Sequence, residues 1–135
     1  MVVDSGGALY GVTYVETYKF LDGALTVIDN FDPSSAGNGY APRGGVVLDK
    51  SGNVYGVTAA GGEYGYGTVY QLTPPTYTQT ILHSFAAGAD GWNPLAPPTL
   101  GPGGVLYGTT QIGGNDGCKL GFGGTGCGIV FQVTP

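Results

Sequence analysis

Apolar residues in this chain fall in short alternating runs separated by glycine-containing turns, and the runs recur. Val2-Val3-Asp4-Ser5-Gly6-Gly7-Ala8-Leu9-Tyr10-Gly11-Val12-Thr13 aligns without a gap on Val47-Leu48-Asp49-Lys50-Ser51-Gly52-Asn53-Val54-Tyr55-Gly56-Val57-Thr58, at an offset of 45 from Tyr10 to Tyr55. A third copy spans Thr99 to Thr110, at an offset of 52 from Tyr55 to Tyr107. Each copy holds two β-prone runs around a turn, and Asp49-Lys50-Ser51-Gly52-Asn53 has the chemistry of a hairpin turn. We call these two runs strand types D and A.

A second set aligns Tyr18, Tyr70 and Phe131 in Tyr18-Lys19-Phe20, Val69-Tyr70-Gln71-Leu72-Thr73-Pro74 and Ile129-Val130-Phe131-Gln132-Val133-Thr134-Pro135. This is strand type B, closed by Pro74 or Pro135 because proline cannot donate to a ladder. A third set pairs Leu25–Phe31 with Gln79–Phe85, with Val27 and Ile81 sharing a face with Phe31 and Phe85 at period two. This is strand type C. The chain therefore reads D-A-B, C-D-A-B, C-D-A-B, eleven short strands with no helical periodicity.

The fold class this predicts is all-β, in tandem four-stranded antiparallel meander repeats resembling β-propeller blades. The expected division is one domain, 1–135, with repeat 1 at 1–23 lacking its C strand, repeat 2 at 24–75 and repeat 3 at 76–135. About two and two-thirds blades are too few to close the four to eight of a typical propeller ring, so the set is incomplete as a single chain.

Several stretches carry a resemblance. Leu106-Tyr107-Gly108-Thr109-Thr110, Gly67–Pro74, His83-Ser84-Phe85 and Asp90-Gly91-Trp92-Asn93-Pro94 together resemble the GloVer-type tandem repeats of bacterial choice-of-anchor surface proteins, over nearly the whole chain. The resemblance implies an exported, surface-anchored array of propeller-like repeats, and it brings no functional residues with it. The chain departs from that pattern in its small number of copies and in having no anchor segment of its own.

Composition narrows the function classes. Gly contributes 28 of 135 residues and charged residues only 10%, far from ordinary globular usage. With no Gly at every third position collagen is excluded, and the glycines punctuate apolar segments. Four Lys and Arg against nine Asp and Glu give a net charge of -5, which removes the electrostatic basis for holding a phosphate backbone. No apolar stretch reaches the ~20 residues needed to span a bilayer, so neither nucleic acid nor membrane insertion is expected. Met1-Val2-Val3-Asp4 lacks the basic start of a signal peptide, so an exported form would need a leader not contained here. Cys118 and Cys127 enclose a Gly-rich segment with no nearby His or second Cys pair, and we read them as one disulfide, which favours an extracellular or cell-surface setting.

The repeats differ chiefly in one loop. From A to B the aromatic positions lie 8 (Tyr10 to Tyr18), 15 (Tyr55 to Tyr70) and 24 (Tyr107 to Phe131) residues apart. Loops at one end of a rigid scaffold are the usual place for contacts, so 61–67, with Tyr64 and Tyr66, and 111–126, with Asn115 and Asp116, form a candidate surface. The same loops can equally be permissive spacers. Trp92 and Asn93, with Tyr40, Tyr64 and Tyr66, suit stacking on sugar rings, although Trp92 can equally plug a blade junction.

Chemistry is otherwise sparse. His83 corresponds to Asp29 in the earlier repeat and so is not a repeated ligand; Asp4 and Asp49 occupy equivalent turns, where Asp bonds nearby amides. No calcium-loop spacing occurs among Asp29, Asp32, Glu63, Asp90 and Asp116, and Gly113-Gly114 and Gly123-Gly124 lack the strand-loop-helix context of a phosphate site. No acceptor for N-linked glycans is present. No catalytic residue, metal ligand or cofactor is therefore expected. The leading expectation is a non-enzymatic extracellular structural module that self-associates head to tail into a filament or ring, with Val2, Val3, Ile129, Phe131 and Val133 as candidate interchain edges. The alternative is a lectin-like propeller module that binds glycans at the cell surface.

Overall fold

The computed structural model describes residues 1–34, 37–114, 117–118 and 126–135. Among the described residues, twelve strands form three antiparallel sheets. The first holds β1 (Val2–Val3), β2 (Leu9–Val12), β3 (Glu16–Leu21) and β4 (Ala24–Asn30) in that order. The second holds β5 (Gly39–Leu48), β6 (Val54–Gly61), β7 (Thr68–Thr73) and β8 (Thr78–Ser84). In the third, β11 (Leu106–Ile112) pairs with β12 (Val130–Val133) on one side and with both β9 (Trp92–Pro94) and β10 (Thr99–Leu100) on the other. Among the described residues the only helical segments are two three-residue 3-10 turns, at 88–90 and 102–104.

The meander of D, A, B and C types is present, but the sheets break at a different point from the sequence units. Each C strand hydrogen-bonds the B strand before it: β4 pairs with β3 and β8 with β7. The sheets thus run 2–30, 39–84 and 92–133, one strand out of phase with 1–23, 24–75 and 76–135, and among the described residues it is the third sheet that has no C strand. The reason is local. Between β3 and β4, Asp22 (φ 50°) and Gly23 (φ 82°) form a two-residue hairpin whose flanking residues Leu21 and Ala24 pair. The described residues hold twelve strands rather than eleven because the third D strand is broken between Pro94 and Thr99, around Pro97 and Pro98.

The recurrent Tyr-Gly pair has a steric cause. Gly11, Gly56 and Gly108 each pair with the B-strand aromatic, Tyr18, Tyr70 or Phe131, and a Cβ at any of them would collide with that ring. Glycine at the A position therefore lets the aromatic side chain lie across the neighbouring strand, which offsets the loss of packing that glycine causes in a sheet.

The sheets stack face on face through two seams. In the first, Val2, Tyr10, Val12, Ile28 and Phe31 of sheet 1 meet Leu48, Val54, Tyr70, Leu72 and Ile81 of sheet 2. In the second, Val47, Tyr55, Val57, Leu82 and Phe85 of sheet 2 meet Leu100, Leu106, Phe131 and Val133 of sheet 3. These are the same repeat positions used twice. An aromatic pair centres each seam: Phe31 on Tyr70 at 4.9 Å and Phe85 on Phe131 at 5.1 Å, both edge to face. The polar detail co-varies, since the Thr17 and Tyr70 hydroxyls, 3.2 Å apart across the first seam, are replaced in the second by Val69 and Phe131.

Phe85 is completely buried at the centre of the second seam. Phe85→Ala should cost about 3–5 kcal/mol, read as a lower urea midpoint with little change in slope. A loss below about 1 kcal/mol would show that the ring does not hold the two sheets together.

Candidate functional site

Sheet 2 is covered on both faces, whereas sheets 1 and 3 are each covered on one. The uncovered faces are the two halves of the repeated seam. On sheet 1, Val3, Leu9, Tyr18, Phe20, Leu25 and Val27 lie on one face, as the pairs Val3–Leu9, Leu9–Phe20, Tyr18–Val27 and Phe20–Leu25 show. Their counterparts Leu48, Val54, Tyr70 and Leu72 lie inside the first seam. Burial changes accordingly: Leu72 is 0% exposed and Phe20 is 37% exposed. On sheet 3, Tyr107 and Val130 face outward and are 39% and 78% exposed, whereas their counterparts Tyr55 and Val69 are 3% and 0% exposed. One end of the chain thus presents the B-aromatic half of a seam, and the other presents the A-tyrosine half.

The A-strand tyrosines are held by their own D–A turns. Asp4 Oδ1 accepts the Gly6 and Ala8 amides, and Asp49 Oδ1 accepts those of Ser51 and Asn53, at 2.8 to 2.9 Å. The other carboxylate oxygen takes the phenol, Tyr10 to Asp4 at 3.1 Å and Tyr55 to Asp49 at 3.0 Å. Desolvation, followed by the bond to Asp49, pushes the Tyr55 hydroxyl up to about 12. The backbone bond from Ala8, with further donors behind it, holds Asp4 below the ordinary carboxylate value. At Asp49 partial burial pushes upward, but the donors of Asn53, Tyr55 and Ser51 together outweigh it and leave the value lowered. The third repeat has Gly101 here, and a Cβ would run into the Tyr107 ring, so Tyr107 stands on the open face without this latch.

A cleft of about 680 Å³ lies beside β8, lined by Glu63, Tyr64, His83, Ser84 and Asp90 among others. His83 Nε2 lies 3.0 Å from Asp90 Oδ2, which also accepts the Ala86 amide at 2.8 Å. This His–Asp pair ties β8 to the turn at 88–90, a contact that sequence reasoning missed because it depends on how the chain turns between the end of β8 and Asp90.

The sequence-derived site residues fall into separate places. Tyr66 and Trp92 meet edge to face at 5.5 Å, the Asn93 amide donates to the Tyr66 carbonyl, and Asn93 Nδ2 donates to Gln111 Oε1 at 2.6 Å. Tyr64 points instead into the His83 cleft and is 52% exposed, while Trp92 is half-buried. Val2 and Val3 form the edge strand of sheet 1, with Val2 turned into the first seam and Val3 onto the open face. Phe131 and Val133 point into the second seam, Ile129 packs beside it, and β12 carries the backbone edge. Cys118 and Cys127 are joined by a disulfide, with the Gly126 amide donating to the Cys118 carbonyl. Asn115 and Asp116 lie outside the described residues.

Among the described residues no group of three or more His, Cys, Asp or Glu side chains is placed to hold a metal ion, and no helix is long and apolar enough to cross a membrane. A family model described as the Gloeobacter/Verrucomicrobia repeat matches residues 1–135. No curated protein and no solved structure matches the chain.

The carboxylate latch carries a pH dependence. Both latch carboxylates have folded values below the ordinary 3.8, so their contribution is fully present above that value and lost as pH falls through the lower folded values. Asp29 works in the opposite sense, because burial raises its value and protonation relieves the cost. Lowering the pH from about 5 to about 2 should therefore reduce the melting temperature, and Asp49→Asn should flatten that decline. A variant as acid-sensitive as the parent would remove the latch from the account.

Proposed function

We propose a structural, non-enzymatic role for this chain, which belongs to the Gloeobacter/Verrucomicrobia repeat family and is a repeat-containing all-β module. In this reading the Tyr107–Val130 face of one copy stacks on the Leu9–Tyr18–Phe20 face of the next, making between chains the seam that each chain makes twice within itself. The observation that carries it is the burial contrast at equivalent positions, from Val69 at 0% exposed to Val130 at 78%. A head-to-tail contact of this kind is heterologous, so it closes into a ring or continues as a filament. Four basic and nine acidic residues in 135 leave little charge on the open faces to oppose apolar pairing. The disulfide suits an oxidising, extracellular location, and the acidic balance disfavours nucleic acid as a partner.

A second reading, glycan binding, is supported by the cleft beside β8. Tyr64 offers a half-exposed ring next to the polar groups of Glu63, His83 and Asp90, the combination that holds a neutral sugar. Trp92 is a weaker stacking platform because its edge contact with Tyr66 and its partial burial engage it in the fold.

Two single variants separate the stacking model from any symmetric dimer. Val130→Asp spoils the sheet 3 face and Leu25→Asp the sheet 1 face, and both positions are exposed, so folding should survive. Each variant alone should remain monomeric by multi-angle light scattering, while an equimolar mixture forms a dimer that grows no further, because one intact face of each kind remains. Parent protein that stays monomeric from micromolar to near-millimolar concentration overturns the reading. For the second, a glycan array should give signals that Tyr64→Ala abolishes and Trp92→Ala only weakens; a silent array removes glycans as ligands.

A further inference from the structure

The first seam contains a chain of phenol hydroxyls. Tyr10 of β2 donates its hydroxyl hydrogen to Asp4 Oδ2 at 3.1 Å, and the Tyr77 hydroxyl lies 3.3 Å from the Tyr10 oxygen. A phenol carries a single O–H, so with that of Tyr10 spent on Asp4 it is Tyr77 that donates to Tyr10. The protons are thus ordered in one direction, from Tyr77 to Tyr10 to Asp4. Tyr77 stands in the turn between β7 and β8, at φ 52°, and its side chain packs against the core of the first seam, 67 residues from Tyr10 in the sequence. At the second seam Tyr55 makes the same bond to Asp49, but no second phenol meets it among the described residues.

This arrangement favours loss of a hydrogen atom from the phenol pair. Burial, followed by the bond from Tyr77, raises the Tyr10 hydroxyl above its ordinary value, so the ring is not oxidised as a phenolate. The Lys19 ammonium, 5.5 Å from the Tyr10 ring centre, opposes positive charge on that ring, so electron and proton leave together. Asp4, held ionised below the ordinary carboxylate value, stands where that proton goes. Tyr77 is half-buried while Tyr10 is almost fully buried, so a small oxidant reaches Tyr77 first and the hydroxyl contact carries the oxidation inward. We infer that Tyr10 and Tyr77 form a site of oxidative cross-linking, where an oxidant of the peroxide class converts the two phenols into one dityrosine joining sheet 1 to sheet 2. Each phenol gives up one electron and its O–H proton. The two radicals join through a carbon–carbon bond ortho to the hydroxyls, and the ortho hydrogens move onto the oxygens. The peroxide, its O–O bond broken, takes the two electrons and two protons and leaves as two waters. A covalent link over so long a sequence separation restricts the unfolded chain and stabilises the seam. The site lies inside one chain and stands apart from both the head-to-tail stacking and the cleft beside β8.

The test exposes the dilute, folded parent protein to hydrogen peroxide with a small haem-peptide peroxidase, then isolates the monomer under denaturing conditions. That monomer should show dityrosine fluorescence, a mass lower by two hydrogen atoms and fragment spectra joining Tyr10 to Tyr77, and once refolded it should have a higher urea midpoint. Tyr77→Phe keeps the ring and should abolish the link. Asp4→Asn keeps an acceptor for the turn amides but not for the phenol proton, and should slow linkage several-fold, whereas Asp49→Asn at the other latch should leave the rate unchanged. Oxidised monomer lacking the Tyr10–Tyr77 link, linkage of this pair no more frequent than in protein oxidised in urea, or a rate indifferent to Asp4→Asn would each overturn the proposal.

Discussion

Everything in this structure depends on covering sheet faces. Each four-stranded meander has an apolar set on both sides, because A-strand tyrosines and B-strand aromatics point in opposite directions from the same ladder. A fully buried Val, Leu or Phe side chain contributes roughly 1.5–3 kcal/mol. In sheets 1 and 3 that gain is made on the one face that meets sheet 2. The central sheet, covered on both sides, holds most of the fully buried apolar residues, Val54, Val57, Val69, Tyr70 and Leu72 among them, while Leu106 of the third sheet is equally buried.

Much of this was legible in the residues. Three copies of the Leu/Val-Tyr-Gly run marked the A strands, and the Asp49 turn announced its hairpin. The phase of the repeat was harder, because periodicity alone has no starting point. The deciding signal was Asp22-Gly23, a two-residue turn that forces β3 and β4 into one sheet, and the linear alignment gave it no weight. The D strand of the third sheet also escaped, since Pro97 and Pro98 split it and its halves meet only on β11.

The site was legible only as separate parts. Tyr66, Trp92 and Asn93 do come together, yet Tyr64, two residues from Tyr66, belongs to a different cleft. The His83–Asp90 pair depends on the path of an irregular turn that no residue pattern specifies. More important, the open faces involve residues that read as ordinary strand interior. Val130 looks like Val69 in the sequence, and only the number of sheets stacked beyond it makes one a core residue and the other a surface.

The most direct measurement is electron cryomicroscopy of the parent protein at high concentration, resolved well enough to identify the contact between neighbouring copies. The account predicts rings or filaments in which Tyr107 and Val130 of one copy lie against Leu9, Tyr18 and Phe20 of the next, with the sheet spacing of the two internal seams. Particles that are only single copies, or assemblies joined through any other surface, would contradict it.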